Sequence, residues 1–172
     1  ERQGEVLIVD VTGVIGVATT LHIQKGIEQA DRDKAQLVIL RIDTPGGLVS
    51  STREIVQSIL ASRVPVVGFV APGGAHAASA GTYILAATHV AAMAPGTQIG
   101  AATPISLGAP PGTPNPLAPP KNDDKSDKQE TQTNDTALDR KVVNDAVAFI
   151  KSLGQMRGRN VEWMEKAVRE AA

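Results

Sequence analysis

The 172-residue chain contains no cysteine, which excludes disulfides and thiolate metal sites. That absence suits an extracytoplasmic domain as well as a cytoplasmic one. Aromatic residues are 2% of the chain, too few to stack nucleobases, and a net charge of −1 makes no electrostatic case for nucleic acid. The three histidines stand at no ligand spacing with acidic residues, so neither a metal site nor any other cofactor is implied. From Val64 to Pro120 there is no Lys, Arg, Asp or Glu. Such a run, above all Ala77 to Ala94, raises the question of a membrane span. It is mostly alanine, broken by Pro65, Pro72, Pro95 and several glycines. A spanning helix wants ~20 consecutive strongly apolar residues, so buried strands and a core helix of one domain are expected instead.

Inside the uncharged run lies Gly73-Gly74-Ala75-His76-Ala77-Ala78-Ser79-Ala80-Gly81-Thr82-Tyr83-Ile84, a serine walled in by residues with almost no side chain. One βα unit upstream is Asp43-Thr44-Pro45-Gly46-Gly47. Small neighbours let a substrate backbone approach the hydroxyl, and a glycine pair with free N–H groups can supply an oxyanion site. Either element alone is common. In this order they suggest a serine hydrolase.

Apolar periodicity gives an α/β order. Strands are expected at Glu5–Val11, Leu37–Asp43 and Val66–Val70, with short ones at His89–Ala92 and Gln98–Ala101. A helix lies within Gly16–Asp33, with Leu21, Ile27 and Ala30 on one side. Ser50 or Ser51 can cap a second helix running to Ala61, with Glu54 placed for a capping box. Ser79 opens a third, to about Ala87. Another starts near Ala137 with an apolar stripe of Leu138, Val142, Ala146, Phe149, Ile150 and Leu153, and a last one spans Val161–Ala171. This alternation implies right-handed crossovers and a mostly parallel sheet.

The residues Asp43–Gly47, Ala77–Ile84 and the helix from Arg140-Lys141-Val142-Val143-Asn144-Asp145 to Ile150-Lys151-Ser152-Leu153 make the chain resemble the N-terminal protease domain of the NfeD family, membrane-bound partners of stomatin-like proteins. The similarity covers nearly all of the chain outside 108–135. It implies the Clp/crotonase-like fold, with repeated ββα units and a mostly parallel sheet flanked by helices. It also implies a serine endopeptidase that cleaves a hydrophobic segment of a stomatin-like membrane protein, and a homodimer. Full-length relatives carry a signal and membrane segments, so the chain resembles an excised catalytic domain on the extracytoplasmic side of a cell envelope, with membrane contact only through segments absent from it.

By the same resemblance Ser79 is the nucleophile and Lys141 its general base. The oxyanion donors are the N–H groups of Gly47 and Ala80, and Gly46, Gly47, Leu48 and Val49 bind substrate, pairing with it as an added strand. A serine hydroxyl needs a base to take its proton, and a lysine can serve only when neutral, far below its reference pKa of ~10.4. Periodicity alone puts Lys141 at the edge of the apolar stripe, where it reads as a surface lysine that Asp145, one turn on, can hold as an ion pair. His76 and His89 are rival bases that spacing alone does not remove, although in the Clp proteolytic subunit the catalytic histidine follows the serine and no histidine follows residue 89 here.

Six of the 11 prolines fall in Gly108–Pro120, and a polar charged run follows. A flexible insert is expected over about 108–135, either a lid or a passive tether between the serine and lysine elements. The last helix, with Trp163, Met164 and Val168, offers an apolar face for a second subunit or for a C-terminal portion absent from this chain. Two other classes share the fold. A crotonase-type acyl-thioester enzyme would need carboxylates in the cleft, which the uncharged run does not supply. A non-catalytic peptide-binding module is separated from a protease by labelling with a serine-directed phosphonate.

Overall fold

The computed structural model describes residues 4–104 and 128–172, with residues 128–138 by backbone alone. Among them the chain runs β1 (Val6–Thr12), α1 (Val17–Arg32), β2 (Leu37–Asp43), α2 (Val49–Ala61), β3 (Val66–Val70), β4 (His76–Ala78), α3 (Ala80–Ala87), β5 (Val90–Met93), β6 (Gln98–Gly100), α4 (Lys128–Met156) and α5 (Val161–Arg169). The main sheet is parallel with strand order β1-β2-β3-β5, and β4 pairs with β6 in a second small parallel sheet. The fold is the expected mixed α/β one, with helices flanking a parallel sheet.

Alternation in the strands decides which face meets the helices. Val9, Val11, Val38, Leu40, Ile42, Val66 and Val70 are buried under α1, α2 and α3. Gly26 permits the closest approach of α1, since a Cβ there would lie 2.5 Å from a Val9 methyl. The inward stripe of α1 is Thr20, Ile23, Ile27 and Ala30, a helical spacing that leaves Leu21 half-exposed, contrary to its expected place beside Ile27. The opposite sheet face is open among the described residues. Ile8, Ile39, Val67 and Val90 form one row across all four strands, and next to it Arg41 forks onto Asp10 at 2.6 and 2.9 Å.

Three expectations about helices change. α2 starts at Val49 with no side-chain cap; Ser51 faces the core, and Thr52 Oγ1 donates back to the Leu48 carbonyl at 2.8 Å. The Leu48 N–H is already bound to the Ile15 carbonyl, which fixes the chain for helix entry without a serine cap. α4 begins at Lys128, not near Ala137. Lys128, Gln129, Glu130 and Gln132 are good helix formers, and extending a packed helix needs only such local propensity. The rest of the expected insert, 108–127, lies outside the described residues. In α5, capped by Asn160 on the Trp163 N–H, Met164 and Val168 are buried in the core, so of the expected apolar face Trp163 alone is part-exposed, in a groove with Met93 and Ile99.

α3 is buried along its whole length. A helix end in the interior needs partners for its free carbonyls, and two arginines from the α4–α5 connection supply them. Arg157 Nε donates to Ala87 O at 2.9 Å; Arg159 donates to Leu85 O at 3.0 Å, Thr88 O at 2.9 Å, and Ala86 O. Burial, and then the neighbouring Arg157 charge, lower the Arg159 pKa below its ordinary value, as expected of a partly desolvated cation. Replacing Arg159 with Leu removes charged donors from three carbonyls. The expected loss is roughly 2–4 kcal/mol of unfolding free energy, from charged hydrogen bonds worth about 1.5–3 kcal/mol each and incompletely additive. Urea denaturation of the two proteins checks it.

Candidate active site

Ser79 sits at the junction of β4 and α3 with φ +50° and ψ −115°, a backbone region that favours glycine. A serine in such a conformation, on a sharp strand-to-helix turn, projects its hydroxyl away from both elements. Several bonds hold the turn. The Ser79 N–H donates to Gly100 O at 3.1 Å, the Thr82 N–H to Ser79 O at 2.9 Å, and the buried Thr82 hydroxyl lies 2.9 Å from Ala77 O and 3.1 Å from Gly100 O. Gly81 packs flat on Thr44 and Ala77, where a Cβ would lie 2.7 Å from the Thr44 methyl.

The glycine turn comes directly against this serine. At Gly46, φ +117°, a Cβ would lie 2.6 Å from Ser79 Cβ and 3.0 Å from its Oγ. At Gly47 a Cβ would collide with the Ile15 carbonyl oxygen at 2.0 Å. Thr44, fully buried, organises the turn through its hydroxyl, which donates to Gly13 O at 2.5 Å and accepts from the Gly46 N–H at 3.1 Å. Among the described residues the N–H groups of Gly47 and Ala80 have no acceptor, and both residues line one cleft with Ser79. Two unpaired donors beside a serine hydroxyl, at the N-terminus of a buried helix, are what a developing oxyanion requires.

The cleft is mostly apolar, walled by Val49 and Thr52 of α2, Tyr83 of α3, Ala102 and Pro104, and Val142, Ala146 and Phe149 of α4. Tyr83 stacks on Phe149, ring centroids 5.8 Å apart, and donates to Ala102 O at 3.0 Å. Burial pushes its phenol up to about 12, so it remains a donor. Arg53 lies over the Phe149 ring, 4.4 Å from its centre, and pairs with Asp145. Sequence reasoning missed Tyr83 and Arg53. Tyr83 stands one helical turn after Ser79, a signal that was available; Arg53 had none.

The structure unites Ser79 with Gly46, Gly47, Ala80 and Val49, but not with Lys141. That lysine is exposed on α4, next to the cleft residue Val142, and Asp145 pairs with Arg53 and not with it. Ser79 Oγ has no hydrogen-bond partner among the described residues. Leu48 is exposed outside the cleft wall; its N–H is bound to Ile15 O and its carbonyl accepts from Thr52, so its own backbone groups are already engaged. His76 lies in a separate groove with Met93 and Trp163, its Nδ1 3.2 Å from Asp43 Oδ1. The His89 Nδ1 accepts from the Val66 N–H at 3.1 Å, and burial lowers its pKa. Neither histidine faces the serine cleft. No group of His, Asp and Glu among the described residues could hold a metal.

Gly47→Ala drives a Cβ into a backbone carbonyl and is expected to cost roughly 1–3 kcal/mol or more. Gly16→Ala, where a Cβ meets nothing within 4 Å, loses only the N-cap glycine of α1 and should cost about 0.5–1 kcal/mol. Thermal melts of both variants measure the difference.

Comparison with known proteins gives this geometry a context. Residues 5–110 match the family model of the NfeD1b N-terminal domain. The chain is 38% identical over 163 residues to the membrane-bound protease PH1510 of Pyrococcus horikoshii, covering 95% of this chain and 32% of that protein. It is 36% identical over 103 residues to membrane protein NfeD1b of Bacillus subtilis, covering 59% and 22%. It thus spans about a third or less of these relatives. Two solved structures of the 1510-N membrane-bound stomatin-specific protease superpose on the whole chain at 35% identity. One, a serine-to-alanine mutant, has a TM-score of 0.81 with 73% of that chain covered. The other, a lysine-to-alanine mutant in complex with a substrate peptide, has 0.79 and 69%. In sequence and in fold, the chain belongs to the NfeD1b N-terminal domain family.

Proposed function

We propose that this domain is a serine endopeptidase in which Ser79 attacks a peptide carbonyl, Lys141 takes the hydroxyl proton, and the Gly47 and Ala80 N–H groups bind the resulting oxyanion. The observation that carries this reading is Ser79 itself, strained at φ +50° beside two unpaired N–H donors in an apolar cleft. Collapse of the tetrahedral intermediate expels the amine, which takes the proton from Lys141. Water then attacks the acyl-serine, Lys141 removing its proton in turn, and Ser79 is regenerated. Lys141 stands exposed on α4 next to the cleft residue Val142, and in this reading it meets Ser79 as a peptide fills the cleft. The similar proteases, with their serine and lysine mutants, support the same pair of residue types.

The substrate class we assign is a hydrophobic segment of a stomatin-like membrane protein. It matches a cleft walled by Val49, Ala102, Pro104, Val142 and Phe149, and one of the relatives is a stomatin-specific protease by name. No helix among the described residues is long and apolar enough to cross a membrane. Both curated relatives are membrane proteins, and we place this domain on the extracytoplasmic side of an envelope, tethered by other segments. A homodimer is the proposed assembly, with a second copy on the open face of the main sheet. Parallel sheets are generally covered on both faces, and across a two-fold axis Asp10 of each copy can meet Arg41 of the other beside the Ile8–Ile39–Val67–Val90 row.

Ser79→Ala should abolish both peptide hydrolysis and labelling by a serine-directed phosphonate while leaving the melting temperature nearly unchanged. Lys141→Ala should remove turnover, and Lys141→Arg should not restore it, because a guanidinium stays protonated. An unlabelled wild-type serine would instead favour a peptide-binding module. For the dimer, Ile8→Lys on an exposed position should shift the sedimentation coefficient from dimer to monomer without unfolding the chain.

A further inference from the structure

We propose that Arg53 is a positioning residue that sets the pH range of catalysis by holding Asp145 away from Lys141. This rests on the assignment of Lys141 as general base. On a helix, a lysine meets the side chains three and four positions on, here Asn144 and Asp145. Both are taken by arginines from other elements. Arg169 of α5 donates to Asn144 Oδ1 at 3.3 Å, and Arg53 of α2 pairs with Asp145. Lys141 makes no ion pair among the described residues.

Arg53 is held firmly enough for this work. Its guanidinium lies on the Phe149 ring, which stacks on Tyr83, which is bonded to the Ala102 carbonyl. A carboxylate released from that grip would stand one turn from Lys141 and favour an ammonium, the form that cannot accept the serine proton. Other charged groups lie around this stretch among the described residues. Asp139 and Arg140 precede Lys141 on α4, and Arg169 shares the α5 carboxylate Glu165 with Lys151. Tyr83, the titratable group on α3, stays protonated up to about 12. Asp145 is therefore the anion whose placement Arg53 decides.

The test is kcat/KM against pH for the whole chain, on a peptide whose cleavage requires Ser79. Arg53→Gln should move the acid limb slightly to higher pH, giving a roughly twofold loss at a pH on that limb that disappears at higher pH, since an exposed helical ion pair is worth about 0.2–0.5 kcal/mol. Adding Asp145→Asn to Arg53→Gln should return the limb to its wild-type position, since the released carboxylate is gone. Arg53→Lys, which keeps a cation for Asp145, should retain the wild-type limb. A loss in Arg53→Gln that is equal at every pH, or that Asp145→Asn does not reverse, would show a merely structural role and overturn the proposal. Should Arg53→Gln fail to fold, Arg53→Met, whose stem can still pack on Phe149, takes its place with the same outcomes. Full activity in Lys141→Ala would instead overturn the general-base assignment on which it rests.

Discussion

Thr44 joins the parts of the candidate site. It follows the last residue of β2, where a parallel strand delivers its C-terminal end toward the cleft. Its N–H donates to His76 O at 2.7 Å and its carbonyl accepts from the Ala78 N–H at 3.1 Å, so one residue docks the short strand β4 that carries Ser79. Its hydroxyl meanwhile ties the Gly13 carbonyl to the Gly46 N–H. The Gly46–Gly47 turn and the serine turn are thus referenced to the same buried residue. A valine of the same shape would preserve the packing but leave the buried Gly46 N–H without its partner, where an unpaired polar group costs about 1–3 kcal/mol, while the exposed Gly13 carbonyl could turn to water.

The strain at Ser79 makes sense against that frame. A non-glycine residue at φ +50° persists only where its surroundings over-determine it. Here the N–H of Ser79 is bound to β6, the following turn is closed by Thr82, and Gly46 presses on its Cβ from the other side. No relaxation is open that does not break one of these. The neighbours must be glycine and alanine because larger side chains would occupy the approach path. The small-residue run and the backbone strain are two consequences of one requirement, a hydroxyl presented in the open on a rigid turn.

That is also why the sequence was legible where it was. β2 and β3 were read to the residue, since Leu37–Asp43 and Val66–Val70 are β-branched runs with clear punctuation. The glycine turn and Ser79 were legible because only small residues fit there. β4 escaped notice, being three residues whose strand character comes from Thr44 and β6 rather than from propensity. The start of α4 was misread because a hydrophobicity criterion does not see a polar stretch that continues a packed helix. The Arg53–Asp145 pair joins residues 92 positions apart, and nothing local to either announces the other. For Lys141, the edge-of-stripe position did match its exposed place on the helix.

The two ends of α3 show how the remaining polar groups are apportioned. Every residue of this helix is buried, so neither end can rely on bulk water. At the C-terminus the carbonyls are fully engaged by Arg157 and Arg159, whose positive charges also oppose the negative end of the helix dipole. At the N-terminus the hydroxyl of Thr82 and its N–H hold the turn, while the Ala80 N–H is left unpaired. A fold that saturates one end of a buried helix and leaves a donor at the other keeps that donor for a group that arrives from outside. The donor adjoins Ser79 and Gly47, and under the proposed protease reading it suits a group that gains negative charge as the serine oxygen bonds to it, a tetrahedral oxyanion rather than a resting carbonyl.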